Sequence, residues 1–302
     1  MNSLVVSLLA ACFASGANLF FRKSSEHSSG KNSYNYYLLF FYLCSFVVSF
    51  FLVPFKSLEQ FNPVMFGVGC LVGTLSMSMM WLTSRALLNG PAGLTFAFQN
   101  ASGIFPGILL FTIFGPLFGF QITLFQILGM GLVMWGLFLG STNKQDQAVS
   151  MRWLFYAIGC CIVQIFALSL IHWRCLLFTN NLPSHFLIPW NLSECADAWF
   201  LPGQFGTALL LQIGITIIYE KRLCTRREAA YGFLGGFSNI ISSFLLLIST
   251  KIAFPVEKGL IFPCFAAATM IICNLWANRL YKEKFNIKAN SCAAVGIIIS
   301  SF

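Results

Sequence analysis

The chain has 302 residues, 58% of them hydrophobic and only 9% charged, with a formal net charge of +9. Soluble domains carry about 25% charged residues, so this composition leaves no material for one. The positive balance reads as cationic loops facing anionic lipid, and a nucleic-acid partner is not expected.

In chain order, about ten apolar stretches are predicted as transmembrane helices, near 3–21, 35–55, 64–86, 92–114, 119–140, 152–173, 199–219, 229–250, 258–280 and 286–302. Each is close to the roughly 20 residues that cross a bilayer, and the continuous run from Tyr36 to Phe55 is unlike the alternating strands of a barrel. The fold class expected is all-α and polytopic. Leu9-Ala10-Ala11-Cys12 matches a lipoprotein cleavage box, but no Lys or Arg precedes the apolar run, so 3–21 reads as the first span. Span 3 carries Gly69-x3-Gly73, then Ser76, Ser78, Trp81 and Arg85. Span 4 carries Gln99, Asn100 and Ser102, just before the helix-weakening pair Pro106-Gly107. Gln164 lies in span 6 and His172 at its end, where it reads as an imidazole snorkelling to water. The connection 174–198, with Pro183, Pro189, Trp190, Glu194 and Asp197, reads as an external cap or flap. Span 8 carries Gly232-x3-Gly236, Ser238 and Asn239, and span 9 carries Asn274 and Trp276.

Charge fixes the orientation. Of the 18 Lys and Arg, only Lys56, Arg174, Lys251 and Lys258 fall after even-numbered spans; the other fourteen follow odd ones. Cations favour the cytoplasmic side, so both termini are expected outside. Most of the eleven cysteines lie in apolar runs as small hydrophobes. No C-x2-C pair or neighbouring His gives zinc spacing, so no metal is expected. Cys175 and Cys195 share the long connection, either bridged or as two free thiols.

All nine acidic residues fall in loops or at span ends. A proton-driven cation exporter needs a carboxylate deep in the membrane, so that mechanism is disfavoured. No nucleophile elbow, H-E-x-x-H or P-loop occurs, so neither an enzyme nor ATP-driven pumping is expected, and no cofactor is called for. What remains at membrane depth is uncharged: the carboxamides of Asn18, Gln99, Asn100, Gln164, Asn239 and Asn274, with the flat rings of Trp81 and Trp276. An amide in lipid must find partners or line a wet cavity. Interhelical hydrogen bonds explain any one of these amides better than function does; as a group they favour function.

Five spans used twice would place the second copy upside down relative to the first, a plan met in secondary transporters. The paired motifs Gly69-x3-Gly73 and Gly232-x3-Gly236 support it, since small residues four apart let helices approach closely. A shift of 167 residues also aligns Phe118 with Phe285 and Gly129 with Gly296. Ile104-Phe105-Pro106 and Ile261-Phe262-Pro263 recur at a different shift and are discounted as chance.

On these residues the chain resembles the EamA-like branch of the drug/metabolite transporter superfamily. In that family each half ends with a fourth-span helix, a short acidic turn and a glycine-bearing last helix. Glu283 fits the acidic turn of the second half, and Pro116 departs from it in the first. The resemblance implies two inverted five-helix repeats, 1–142 and 143–302, with spans 1, 3, 4, 6, 8 and 9 around a central cavity. It implies a solute transporter without naming the solute. The function expected is alternating-access transport of a small polar solute, such as an amino acid, a nucleoside or an S-adenosylmethionine-like metabolite, across a bacterial inner membrane. Gln99, Asn100, Asn239 and Asn274 would hydrogen-bond the solute, with Asn18 and Gln164 in the same lining and Trp81 and Trp276 packed against it. Pro106-Gly107 would act as a hinge. The partners expected are the lipid bilayer and that solute, with a homodimer allowed. The competing class is a non-transporting scaffold or an intramembrane lipid-handling enzyme, with a closed bundle or a polar site open sideways to lipid.

Overall fold

In the computed structural model, the structure describes residues 2–26, 34–52, 60–89, 95, 99–141, 150–178, 183, 185–188, 190–281 and 287–300. All regular structure among them is helical: α1 (Ser3–Glu26), α2 (Tyr34–Ser49), α3 (Pro63–Asn89), α4 (Phe105–Phe114), α5 (Leu124–Ser141), α6 (Met151–Trp173), α7 (Phe200–Tyr219), α8 (Arg226–Ile252), α9 (Ile261–Tyr281) and α10 (Ile287–Ser300). Six segments are long and apolar enough to cross a membrane: Ser3–Ser24, Pro63–Ala86, Met151–Phe178, Cys195–Tyr219, Arg226–Ile252 and Ile261–Leu280. Four shorter apolar helices lie among them, Tyr34–Ser49, Gln99–Phe114, Leu124–Gly136 and Asn290–Ile299. The chain is a multi-pass helical membrane protein. Large apolar side chains such as Phe155, Leu210 and Ile217 project from its outer surface, as hydrocarbon requires.

Local chemistry sets several helix ends. Ser150 caps α6 by accepting from Trp153 N at 3.1 Å. Thr225 and Glu228 form a reciprocal capping box at the start of α8, which satisfies orphan N–H groups. Span 4 is not one even helix: a 3₁₀ turn, Ser102–Ile104, leads into α4, with Pro106 in the first turn. Proline lacks the N–H that a continuous helix would use there. Gly115 (φ 69°) and Gly119 (φ 77°) then turn the chain toward α5. The ninth span starts later than its hydropathy predicts, because Pro255–Lys258 forms a separate single turn ahead of α9.

The helices pair closely. α1 lies against α8 and α9, α6 against α3 and α4, α2 against α7 and α8, α3 also against α7, and α5 against α10. Hydroxyls fix the register where α1 meets α9: Ser7 Oγ donates to Ile261 O (2.9 Å) and Ser15 Oγ to Thr269 O (3.3 Å). Ser242 Oγ donates to Ala10 O and Ser249 Oγ to Ser3 O, both at 2.8 Å, so α8 runs antiparallel to α1. Glycines set the closest approaches. A Cβ on Gly69 would lie 2.3 Å from Phe200 O, and one on Gly73 2.1 Å from Gln204 O. On α8, Cβ atoms at Gly232 and Gly236 would lie 2.7 Å from Tyr37 O and 2.3 Å from Phe41 O. Backbone meets backbone at both crossings, which is what small residues four apart permit.

Candidate functional site

The sequence-predicted site residues fall in two groups. On α1, α8 and α9, Asn18 Nδ2 faces Cys273 Sγ at 3.8 Å, next in sequence to Asn274. Asn239 follows Ser238, which lies against Gly16. Trp276, half a turn beyond Asn274, is 41% exposed. On α3, α6 and the approach to α4, Gln99 Nε2 faces Met79 Sδ at 3.8 Å. Trp81 packs edge-on against Tyr156 (6.2 Å) under the Arg85 guanidinium (5.4 Å). Gln164 lies one turn along α6 from Cys160, whose sulfur touches Thr83 Oγ1 at 3.1 Å.

None of the six carboxamides is fully buried: Asn18 is exposed and Gln99, Asn100, Gln164, Asn239 and Asn274 are half-buried. Asn274 Nδ2 donates to Asn290 Oδ1 on α10 (3.0 Å), a helix-to-helix bond of the structural kind. By contrast, the buried oxygens Gln99 Oε1 and Gln164 Oε1 accept no hydrogen bond, an unfavourable state unless another donor reaches them. The 3₁₀ turn and Pro106-Gly107 press on the start of α9 and the turn before it: Cβ atoms at Gly103 and Gly107 would lie 3.0 Å from Phe262 O and 2.9 Å from Gly259 Cα. α9 is accordingly buried from Ile261 to Met270 except for Phe265, while from Ile271 onward no described side chain is buried.

A cleft of about 560 Å³ lies elsewhere, at the opposite end of α3, α4 and α6. Val64, Gly67, Leu71, Ile113 and Phe166 form its walls, and Leu187 and Trp190 of the long connection roof it. None of the predicted amides lines it. Its polar side chain is Ser169, 6% exposed, whose hydroxyl has no partner.

At that end sits a basic cluster that the sequence reading missed. His172 does not snorkel to water: it is 0% exposed, and neither ring nitrogen has a hydrogen-bond partner. Phe120 and Phe262 hold it edge-on at 5.3 and 5.8 Å, so tertiary packing from two other elements overrides its position at a helix end. Arg174 is also 0% exposed. It lies over the Phe200 ring (4.9 Å) and donates to Leu247 O (3.3 Å). Its Nε is 3.0 Å from Asp197 Oδ1, close but angled off the N–H direction, so this is an ion pair without an aligned hydrogen bond. Lys258 Nζ sits over the same Phe120 ring, 5.2 Å from its centroid, and burial pushes its pKa down. Arg174 and Lys258 are two of the four cations on the side that the charge rule disfavours. That departure is the signal that could have found them.

All eleven cysteines are free, Cys175 and Cys195 included, and no group of metal-ligating side chains occurs among the described residues. No protein-family model matches the chain, and no curated protein matches it. Solved structures do: 28 chains resemble it. One, a protein known from a crystal structure, superposes with a TM-score of 0.67 at 14% identity, over 99% of this chain and 95% of its own. At that identity the likeness shows the fold alone.

Proposed function

We propose that the chain is a secondary transporter of a small organic solute, built as two inverted five-helix halves of the EamA-like drug/metabolite transporter kind and working by alternating access across a bacterial inner membrane. The observation that carries this reading is the pairing of the helices. Exchanging each of α1–α5 with its counterpart in α6–α10 maps α1 on α8 onto α6 on α3, and α1 on α9 onto α6 on α4. It maps α2 on α8 onto α7 on α3, and leaves α2 on α7 and α5 on α10 unchanged. The glycine crossings follow the same exchange, and a Cβ on Gly296 would lie 2.7 Å from Gly129 O. The two groups of amides sit on exchange-related triples, α1–α8–α9 and α6–α3–α4. A repeated unit inserted upside down places its substrate site between such halves.

In this reading the contact of Gly103 with α9 and of Gly107 with the turn before it is a closed outer gate. The half-buried amides then line a vestibule open toward the Lys- and Arg-rich cytoplasmic side, both termini lying outside. The 3₁₀ turn at Ser102–Ile104 is the bend about which span 4 moves, as helix interruptions of this kind commonly are. Solute hydrogen-bonds to Gln99 and Gln164, whose buried oxygens lack donors, and packs on Trp81 and Trp276. Counterflow by purified protein in liposomes, with amino acids, nucleosides, S-adenosylmethionine and organic acids, tests the reading. Accumulation of at least one labelled solute against its unlabelled form is expected; inertness toward the whole panel in protein that remains folded contradicts it.

A further inference from the structure

The cleft between α3, α4 and α6 is a recess in the lipid-facing surface. Along α6, Phe155, Ile158, Ile162 and Phe166 form one exposed stripe at helical spacing. The same face continues as Ser169, Leu170 and Trp173, which line the cleft together with Phe166. On α4, Phe105, Ile108 and Ile113 are exposed, and Ile113 is again a cleft wall. The three walls fall within the apolar segments Pro63–Ala86, Gln99–Phe114 and Met151–Phe178. The surface that meets hydrocarbon on the outside of the bundle therefore runs into the cleft without a break.

Toward the end of the bundle the cleft is roofed by Leu187 and Trp190. Trp173 Nε1 holds this roof by donating to Leu187 O at 3.1 Å, and the His185 ring lies against Phe114 (4.9 Å) and Phe118 (5.5 Å). The approach that avoids the roof is sideways, from the bilayer. Hydrocarbon walls offer water nothing to bond and stay dry, while packed proteins leave few voids larger than a water molecule. A volume of about 560 Å³ therefore calls for an apolar occupant. One polar group specifies it further. Ser169 Oγ, in a side chain 6% exposed, lines the cleft and has no hydrogen-bond partner. A hydroxyl left unanswered in hydrocarbon is costly, so it wants a single acceptor. It sits about one turn inside Trp173, a residue type that marks the membrane interface, the depth at which glycerolipids carry their ester groups.

We propose that the cleft binds one acyl chain of a bilayer glycerolipid, its ester carbonyl accepting from Ser169 Oγ and its hydrocarbon running along Phe166, Gly67 and Leu71 toward the membrane interior. The occupant comes from the bilayer because the cleft is continuous with the lipid-facing surface. It is an ester because hydrocarbon walls and one hydroxyl donor match a chain and one carbonyl. The inference needs only that the helices stand in a membrane, and it does not rest on transport.

Photocrosslinking tests the site, with the full chain in phosphatidylcholine nanodiscs that hold a small fraction of phosphatidylcholine bearing a diazirine on its chain. Adducts are located by mass spectrometry of peptides. They are expected at Leu110 and Phe114, which are buried and line the cleft. Leu210 and Ile217 on the outer surface should also be labelled, and serve as the reference for boundary lipid. Relative to that reference, an ester-linked probe should label the cleft about fivefold more than its ether-linked counterpart, the scale of a neutral hydrogen bond. Ser169→Ala should bring the two probes level. Gly67→Leu should remove the cleft adducts and keep the reference ones, because a Cβ there meets nothing within 4 Å and the longer side chain grows into the cleft. Adducts confined to the outer surface would overturn the proposal, as would cleft labelling that Gly67→Leu leaves untouched. Equal labelling by ester and ether probes in wild type would overturn the ester contact with Ser169. Loss of the cleft adducts on adding a solute that the protein moves in counterflow would mean a solute site instead, and would also overturn it.

Discussion

At the scale of single residues, a dense polar anchor sits at the turn between α7 and α8. Glu228, 1% exposed, accepts from Arg222 Nη1 and Nη2 (3.0 and 2.6 Å) and from Thr225 N and Oγ1 (3.0 and 2.9 Å). Arg222 also pairs with Glu220 (3.3 Å) and lies over the Tyr36 ring (5.2 Å), and its pKa is raised, chiefly by its hydrogen bond to Glu228. Glu228→Gln keeps the shape and removes the charge, so a loss of about 2 kcal/mol is expected, the scale of a charged hydrogen bond, read as a lower midpoint in denaturant. Lys258 gives a pH signature. Burial lowers its folded pKa below the ordinary 10.5, so between the two values the unfolded chain holds a proton that the folded one has released. Stability on its account therefore rises with pH through that window. His172, Arg174, Cys175 and Asp197 face the same region, so the comparison is with Lys258→Met, which keeps the stem on Phe120. Wild type should gain stability relative to that variant as pH climbs toward 10.5. Parallel profiles would show that this ammonium is not desolvated.

At the scale of helices, the two glycine crossings are the points with no slack. Gly73→Val or Gly236→Val drives a side chain into a carbonyl 2.1 or 2.3 Å from its Cβ, and about 3 kcal/mol or more should be lost, at the upper end of overpacking penalties. Gly131→Val and Gly214→Val meet open space, and should cost little or even stabilise, since glycine is a poor helix former. Equal losses at all four positions would mean that helix propensity and not close approach sets the penalty. These crossings were legible in the sequence because Gly-x3-Gly states a steric requirement in two letters, although not which helix answers it. The break in span 4 was only half legible: Pro106-Gly107 marked a weak point, but hydropathy is the same for a 3₁₀ turn and an α-turn. His172 was misread because its burial comes from Phe120 and Phe262, 52 and 90 residues away in sequence, and no local pattern encodes that. The cleft between α3, α4 and α6 was invisible for a similar reason. Its walls are the same Val, Leu and Phe that elsewhere face lipid, and only the packing of α3, α4 and α6 distinguishes them.

At the scale of the whole molecule, composition and the continuity of the apolar runs together dictate a helical membrane protein, since hydrocarbon admits only helices and closed barrels, and barrel strands would alternate. Its architecture is economical: hydroxyl-registered contacts of α1 with α8 and α9, two glycine crossings and the α5–α10 crossing hold the described helices together. α9 is tightly buried in its first half and open in its second, the burial pattern that the proposed transporter needs for a seal at one end and a vestibule at the other. The claim on which this account turns is that Asn18, Asn239 and Trp276 border water on the Lys- and Arg-rich side of the membrane. Single Asn18→Cys, Asn239→Cys and Trp276→Cys variants test it most directly, in a background whose eleven native cysteines are replaced. A membrane-impermeant maleimide should label all three in inverted vesicles and leave them unlabelled in right-side-out cells. Labelling from the outside, or no labelling from either side in folded protein, would contradict it.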